Sequence, residues 1–433
     1  MSNEAKMHNA RRTPPGQSLQ LSNASEVFRK SRLSSGLRVI TEYVPSAHSL
    51  ALGVWIDTGS RDETAGENGI SHFIEHCVFK GTKRRRTHHI AQYLESVGGY
   101  LNAFTTKDNT CYYARVLQPH VGRAVHLLAD ILLHSVFPEK EVEKEKQVII
   151  EEMHGAEDDP EDLAHEQFEE QLFGMHPLGQ PIIGHEAEVL SFNRDMLHAF
   201  VQKHYVAENM VITAAGAVDH DVLVALCEKE FAGIPRGSVS RRRKPRVLPA
   251  KHTSVVRPIQ QAHLVLGTSA AGYHDEKRHA LAVLNAILGE GMSSRLFQRV
   301  RERYGYAYNI YSFLSMYNDV STFGVYAAIE PGRVDRARDV ILHELHGMQK
   351  QPVPMRELNR AKEQMIGSML LGLESMTNRM SRLGRDELVF GRDIPVSDMI
   401  TWLRTITAED IHSLAAEIFS ENALSSRTLL PSA

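Results

Sequence analysis

Apolar and polar positions along the chain follow an order that occurs twice. In the first half, LRVITEYVP (38–46) and LALGVWIDTGS (50–60) are rich in β-branched residues and end in turn signals, which reads as two strands. Helical periods follow over 69–79 and 88–97, then a strand pair in YLNAFTTKD and TCYYARVLQ. Three more helical stretches (121–135, 139–155 and 162–173) lead to a helix before Tyr205, the strand NMVITAAGAV and a helix starting near Asp219. The second half runs in similar order. HLVLGTSAAG (263–272) is a strand, 279–288 a helix, and an Arg-rich helix ends at Arg303. Strands around AYNIYSFLSMYN and STFGVYAAIE precede a helix over 333–349, and MRELNRAKEQMIGSMLLGLES (355–375) parallels KEVEKEKQVIIEEMHG. The predicted fold class is α+β. Two homologous halves, each a mixed sheet with packed helices, are joined by a linker and arranged like a clamshell.

The linker itself is IPRGSVSRRRKPRVLPA, residues 234–250, where Pro, Gly and Ser combine with a basic run from Arg241 to Arg246. Such stretches are where domain boundaries fall. The predicted division is a loose leader over 1–27, a first domain over 28–235, the linker over 236–250 and a second domain over 251–433. The basic run reads as a solvated linker rather than a nucleic-acid patch.

Composition narrows the class without naming the chemistry. The 433 residues carry 49 Lys and Arg against 53 Asp and Glu, a formal net charge of −4, with 42% hydrophobic and 24% charged residues. That is an ordinary globular balance, which argues against a disordered chain or a collagen-like repeat. The lack of a basic domain argues against a nucleic-acid partner. No apolar run approaches the roughly 18–20 residues that span a bilayer, and the longest clear one is 210–218, so no membrane partner is expected. Three scattered cysteines, Cys77, Cys111 and Cys227, make neither a disulfide framework nor a Cys-rich zinc site. The N-terminus lacks an apolar signal core, and Arg11 and Arg12 sit with Glu4 in no amphipathic period. The expected location is cytoplasmic, with the mitochondrial matrix as the alternative.

The chemical signal is HFIEH, His72 to His76. Two histidines four apart on a helix project from one face, one turn apart, as two zinc ligands require. Glu75 shares that side and can reach a water beside a metal without being a ligand; this His-x-x-Glu-His order is the inverted zinc-protease motif. Zinc hydrolases keep three protein ligands. The helix over 139–155 offers Glu145 and Glu152, seven apart on one face, with Val148, Ile149 and Met153 as apolar neighbours to bury it against the histidines. A surface helix with two ordinary histidines and a solvated acidic helix are the plain alternatives. The second half has no such motif, only the lone His279, expected to be structural.

HFIEHCVFKGT, YLNAFTTKD and EKEKQVIIEEM together resemble the pitrilysin/insulinase superfamily of inverzincin metallopeptidases. The likeness runs from about residue 32 to 425, and is greatest to the short branch with the mitochondrial processing peptidase β-subunit and its bacterial homologues. The resemblance implies one zinc ion per chain, held by His72, His76 and Glu152, with Glu145 bracing a zinc-bound histidine and Glu75 as general base. It implies that Asn102 and Ala103 lie on an edge strand to which substrate adds, and that Arg295 and Tyr308, from SSRL and AY, hold and polarise the substrate. Asp162 and Glu166 match an acidic pair that reads an arginine near the cut. The segment from Glu139 to Glu170, with 14 acidic residues against three lysines, suits such a substrate. The expected activity is zinc-dependent endopeptidase cleavage of unfolded peptides or presequence-like segments near basic residues, by a homodimer. A noncatalytic core or partner subunit, or a peptide-binding component needing a sister chain, is the alternative.

Overall fold

The computed structural model describes residues 27–237, 239, 242, 244–420 and 422–432. Apart from Val27, the expected leader lies outside the described residues. In the first half, β1 (Val27–Arg32), β2 (Arg38–Tyr43), β3 (Ser49–Ile56), β4 (Tyr100–Thr105), β5 (Thr110–Leu117) and β6 (Met210–Gly216) form one sheet in the order β1-β2-β6-β3-β5-β4. The β2–β6 pair is parallel and the others are antiparallel, so the sheet is mixed. Strand β6 is buried at every position, which explains its unbroken apolar sequence. Helices α1 (Ile70–Cys77), α2 (Thr87–Glu95), α3 (Val121–Leu133), α4 (Glu139–Glu157), α5 (Pro160–Phe173), α6 (Glu186–Ser191), α7 (Arg194–His204) and α8 (His220–Glu230) belong to this half of the sequence. Leu52, Val54 and Tyr112 from the sheet pack with Phe73, Leu127 and Ile149 from the helices in a single core.

The second half repeats the plan. Strands β7 (His252–Arg257), β8 (Ala262–Ala271), β9 (Ala307–Met316), β10 (Val320–Ile329) and β11 (Ser425–Pro431) lie in the order β7-β11-β8-β10-β9, with β11 parallel to β7. Helices α9 (Arg278–Gly289), α10 (Val334–Lys350), α11 (Met355–Gly372), α12 (Met376–Phe390), α13 (Val396–Thr405) and α14 (Ala408–Ile418) accompany it. The predicted Arg-rich helix is a π-helical turn over Phe297–Arg303. None of the helices among the described residues is long and apolar enough to cross a membrane.

Packing crosses the linker in both directions. Helix α5 of the first half lies on the second sheet, where Ala164, Phe168 and Leu172 meet Val265, Tyr326 and Leu429. Helix α12 of the second half lies on the first sheet, where Met380 and Leu383 meet Ile40, Trp55 and Val211. The fit is close: a Cβ at Gly384 would run into the Trp55 indole, and one at Gly53 into the Met380 sulfur. Arg379 and Arg382 of α12 also pair with Glu42, a buried carboxylate of β2. The sequence reading places no element over 376–433; α12 is hard to read because it buries Arg382, Asp386 and Glu387 beside its apolar residues, whereas α14 buries Ile411, Leu414, Ala415 and Ile418 in plain helical spacing. Strand β1 was missed for the opposite reason: an exposed edge strand, VFRKSR, carries no apolar alternation.

The linker corrects another expectation. Arg242, read as solvated, is largely buried, with its Nε 2.8 Å from Asp62 and its Nη2 3.0 Å from Asp57. Nearby, Arg61 pairs with Asp108 at 2.9 Å and with Asp319, in the β9–β10 turn, at 3.1 Å. The two halves are therefore tied by ions as well as by exchanged helices.

Candidate metal centre

Helix α1 begins at Gly69, whose left-handed φ of +91° lets the chain turn into the helix. A Cβ there would also strike the backbone of Ile183 and Gly184. The free N–H groups of the first turn go to Glu63, a buried carboxylate that accepts from Gly69 N at 2.8 Å and Ser71 N at 2.9 Å. Burial pushes this carboxyl up to about 8 against those two hydrogen bonds. Ile70, Phe73, Ile74 and Cys77 face the core, which leaves His72, Glu75 and His76 on the other side of the helix.

Helix α4 runs beside it, with Val142, Glu145, Ile149, Ile150 and Met153 buried. Val148, expected to help bury this helix, instead faces solvent. Glu152 stands 3.9 Å from His72 Nε2 and 3.6 Å from His76 Nε2. One ligand atom from each of these three residues lies within 4.8 Å of the others. Zinc binds nitrogen and carboxylate oxygen at about 2.0–2.2 Å in a tetrahedron, so two imidazoles and a carboxylate so spaced fit that ion. Glu145 does not point at the group between the histidines. Its Oε2 is 3.2 Å from His76 Nδ1, and its Oε1 is 2.7 Å from Lys80 Nζ. Glu75 accepts a 2.6 Å hydrogen bond from the Thr105 hydroxyl of β4.

Charge states follow from these contacts. Burial, aided by the neighbouring His76, lowers His72 to about 4, so its imidazole is neutral at neutral pH. Burial also works to lower His76, but the Glu145 hydrogen bond and the charges of Glu152, Glu145 and Glu75 outweigh it and raise the ring. For Glu145, burial would raise the carboxyl, yet the bonds from His76 and Lys80 hold it below its ordinary value. Burial pushes Glu75 up, with Thr105 and His76 pulling the other way. His72 Nδ1 is buried without a hydrogen-bond partner.

The other expected residues divide. Among the described residues strand β4 pairs only with β5 and is a sheet edge. On it, Ala103 is buried while the exposed Asn102 side chain donates to the Tyr100 hydroxyl and accepts from Ala103 N–H. Asp162 is exposed in the first turn of α5. Glu166, one turn on, lines a cavity of about 290 Å³ with His154, Glu157 and Glu170. Burial pushes its carboxyl up, against the pull of Lys107 and His185. Arg295 is held in a two-pronged ion pair with Glu357 of α11, at 2.9 and 2.8 Å. Tyr308, the other member of that expected Arg/Tyr pair, is 74% exposed and has the Arg301 guanidinium 5.6 Å from its ring centroid. Among the described residues no hydrogen bond or ion pair ties Tyr308 or Arg301 to the histidine group. His279 packs on Trp402 at 4.7 Å, a structural place. Sequence reasoning passed over Glu63, Lys80, Thr105 and Arg301. Lys80 and Thr105 stand inside quoted motifs, whereas Glu63 had no periodic signal to mark it.

Comparison with known proteins identifies the family. Residues 38–186 match the family described as Insulinase (Peptidase family M16), and residues 191–365 match the Peptidase M16 inactive domain. An uncharacterized zinc protease of Mycobacterium tuberculosis is 41% identical over 402 residues, covering 90% of this chain and 91% of its own length. One from Bacillus subtilis is 38% identical over 397 residues, covering 92% and 97%. Among solved structures, a Helicobacter pylori protease superposes with a TM-score of 0.88 at 22% identity, covering 94% of this chain and all of its own. A peptidase M16 inactive domain from Pseudomonas fluorescens does so with a TM-score of 0.88 at 20% identity, covering 94% and 98%. At those identities the structural matches speak for the fold alone. The matches in sequence over nearly the whole length place this chain in the insulinase family of peptidases, M16.

Proposed function

We propose that the chain is a zinc-dependent endopeptidase acting on unfolded peptides or presequence-like segments, with a preference for basic residues near the cut. The observation that carries this reading is the convergence of His72, His76 and Glu152, with Glu75 beside them but outside the group. A zinc ion held by those three residues supplies Lewis-acid polarisation of the scissile carbonyl and makes water easier to ionise. Glu75 takes the proton from the attacking water and delivers it to the departing amine. Glu145 accepts a hydrogen bond from His76 Nδ1–H and so fixes which nitrogen faces the metal. The open edge of β4, with Asn102 and Ala103, accepts the substrate backbone as an added strand, which gives affinity without a sequence requirement. Asp162 and Glu166 draw basic side chains.

Arg295, braced by Glu357, and Tyr308 hold and polarise the substrate near the scissile bond. On this reading the working unit is a homodimer. The test is digestion of a mixed peptide library with and without chelator, alongside the metal content of the purified protein. One zinc per chain, with cleavage lost on chelation and restored by zinc, is the expected result. Zinc-loaded protein that cleaves nothing would instead favour a noncatalytic partner subunit, and a profile without Arg or Lys near the cut would remove the acidic-pair role.

A further inference from the structure

One hydrogen bond joins the proposed base to the strand on which substrate would lie. Residues on a strand alternate between faces, so Leu101, Ala103 and Thr105 of β4 share one side. That side meets α1: Ala103 belongs to the same core as Phe73 and Ile74, whereas Phe104 packs with Trp55 on the other. A small residue at 103 leaves room for the helix. At the end of the row, Thr105 sends its hydroxyl to Glu75 Oε2 at 2.6 Å. A hydroxyl donating to one carboxylate oxygen fixes the plane of the carboxylate and leaves the second oxygen to act on a proton. Strand β4 is bonded on one side only, with Thr105 opposite Thr110. A peptide added to its free side would therefore grip the same strand that aims the base.

We infer that Thr105 is a positioning residue which couples occupation of the β4 edge to the orientation of Glu75. The inference rests on the peptidase reading above and deepens it. Peptides long enough to pair along β4 should be turned over faster as well as bound more tightly, since binding to the strand is then used to order the reacting groups.

The test compares Thr105→Val with Thr105→Ser in the zinc-loaded full chain. Valine keeps the β-branched shape that suits a strand and removes the donor; serine keeps the donor. Thr105→Val should lower kcat about ten- to a hundredfold, the usual effect of removing an outer partner of a catalytic group. KM, zinc content and affinity of the zinc-free protein for a labelled peptide should stay within about twofold of wild type, and Thr105→Ser should recover most of kcat. In Thr105→Val the gain in kcat with peptide length should also vanish. The inference is overturned if Thr105→Val retains wild-type kcat, if Thr105→Ser fails equally, or if the loss follows zinc or peptide affinity. Zinc-loaded wild type with no activity on any peptide would sink the peptidase reading and this coupling with it; an active wild type matched by Thr105→Val would sink the coupling alone.

Discussion

Helices α4 and α11 occupy corresponding places in the two halves, yet among the described residues only α4 borders the candidate metal centre. Both are capped by a proline, Pro138 and Pro354. Aligned on those caps, the buried apolar positions correspond, Val142 to Leu358 and Ile150 to Ile366, and each helix buries a lysine, Lys146 and Lys362. The carboxylates do not correspond. Ala361 stands where α4 has Glu145, and Ser368 where it has Glu152. Opposite them, α9 carries buried Leu281, Leu284 and Leu288. Packing thus requires the apolar frame in both places, whereas the chemistry needs a handful of polar substitutions on one of them.

The comparison breaks most sharply at the metal. His72→Ala should remove stoichiometric zinc and reduce peptidase activity to that of chelator-treated protein, while His279→Ala leaves zinc content unchanged. Metal analysis of both proteins checks this, and zinc loss from the second would contradict the asymmetry. Glu75→Gln should keep zinc and lower turnover by about 10²–10⁴-fold, the range for a lost general base. Matched zinc and rate measurements would show whether that glutamate is chemical or a ligand.

Two further variants ask whether the frame is shared. Phe168→Ala empties the contact of α5 with the second sheet and should cost about 3–5 kcal/mol of stability in denaturant unfolding. Gly384→Ala crowds Trp55 and should cost about 1–3 kcal/mol, if the first sheet depends on α12 as closely as the geometry implies. Unfolding of one half without the other in either variant would disprove the mutual dependence.

The smallest effect concerns acid. Burial, with the Arg278 charge, holds His279 at about 4, below its ordinary 6.5. Between those values the unfolded chain binds a proton that the folded ring refuses, so this stability is present above pH 6.5 and is lost as the pH falls toward 4. His204 in the first half, held at about 4 chiefly by burial, acts in the same direction. His279→Gln should therefore flatten part of the acid limb of a stability–pH curve without removing it.

How much of this was legible before any coordinates depends on the kind of signal. Repeated periodicity gave most strands of both sheets, β1, β7 and β11 excepted, and most helices, since alternation in β5 and the three-to-four spacing of α3 record burial directly. Helical spacing within HFIEH brought His72 and His76 together, whereas the choice of Glu152 over Glu145 came from the family resemblance and not from spacing. What the periodicity hid depends on contacts between distant segments. A buried arginine and two buried carboxylates disguised α12, and Arg242 looked like solvated linker. Glu63 and Thr105 matter through single hydrogen bonds, which leave no pattern along a chain.

The exchange of α5 and α12 carries a consequence for how the molecule is made. During synthesis α5 emerges about eighty residues before the first strand of the sheet that receives it, and about 250 residues before β11, which also meets it. The outer face of the first sheet waits in the same way for residues 376–390. Neither half can complete its burial on the ribosome alone, so cutting the gene at the linker should yield two fragments that are sticky apart and that assemble when produced together.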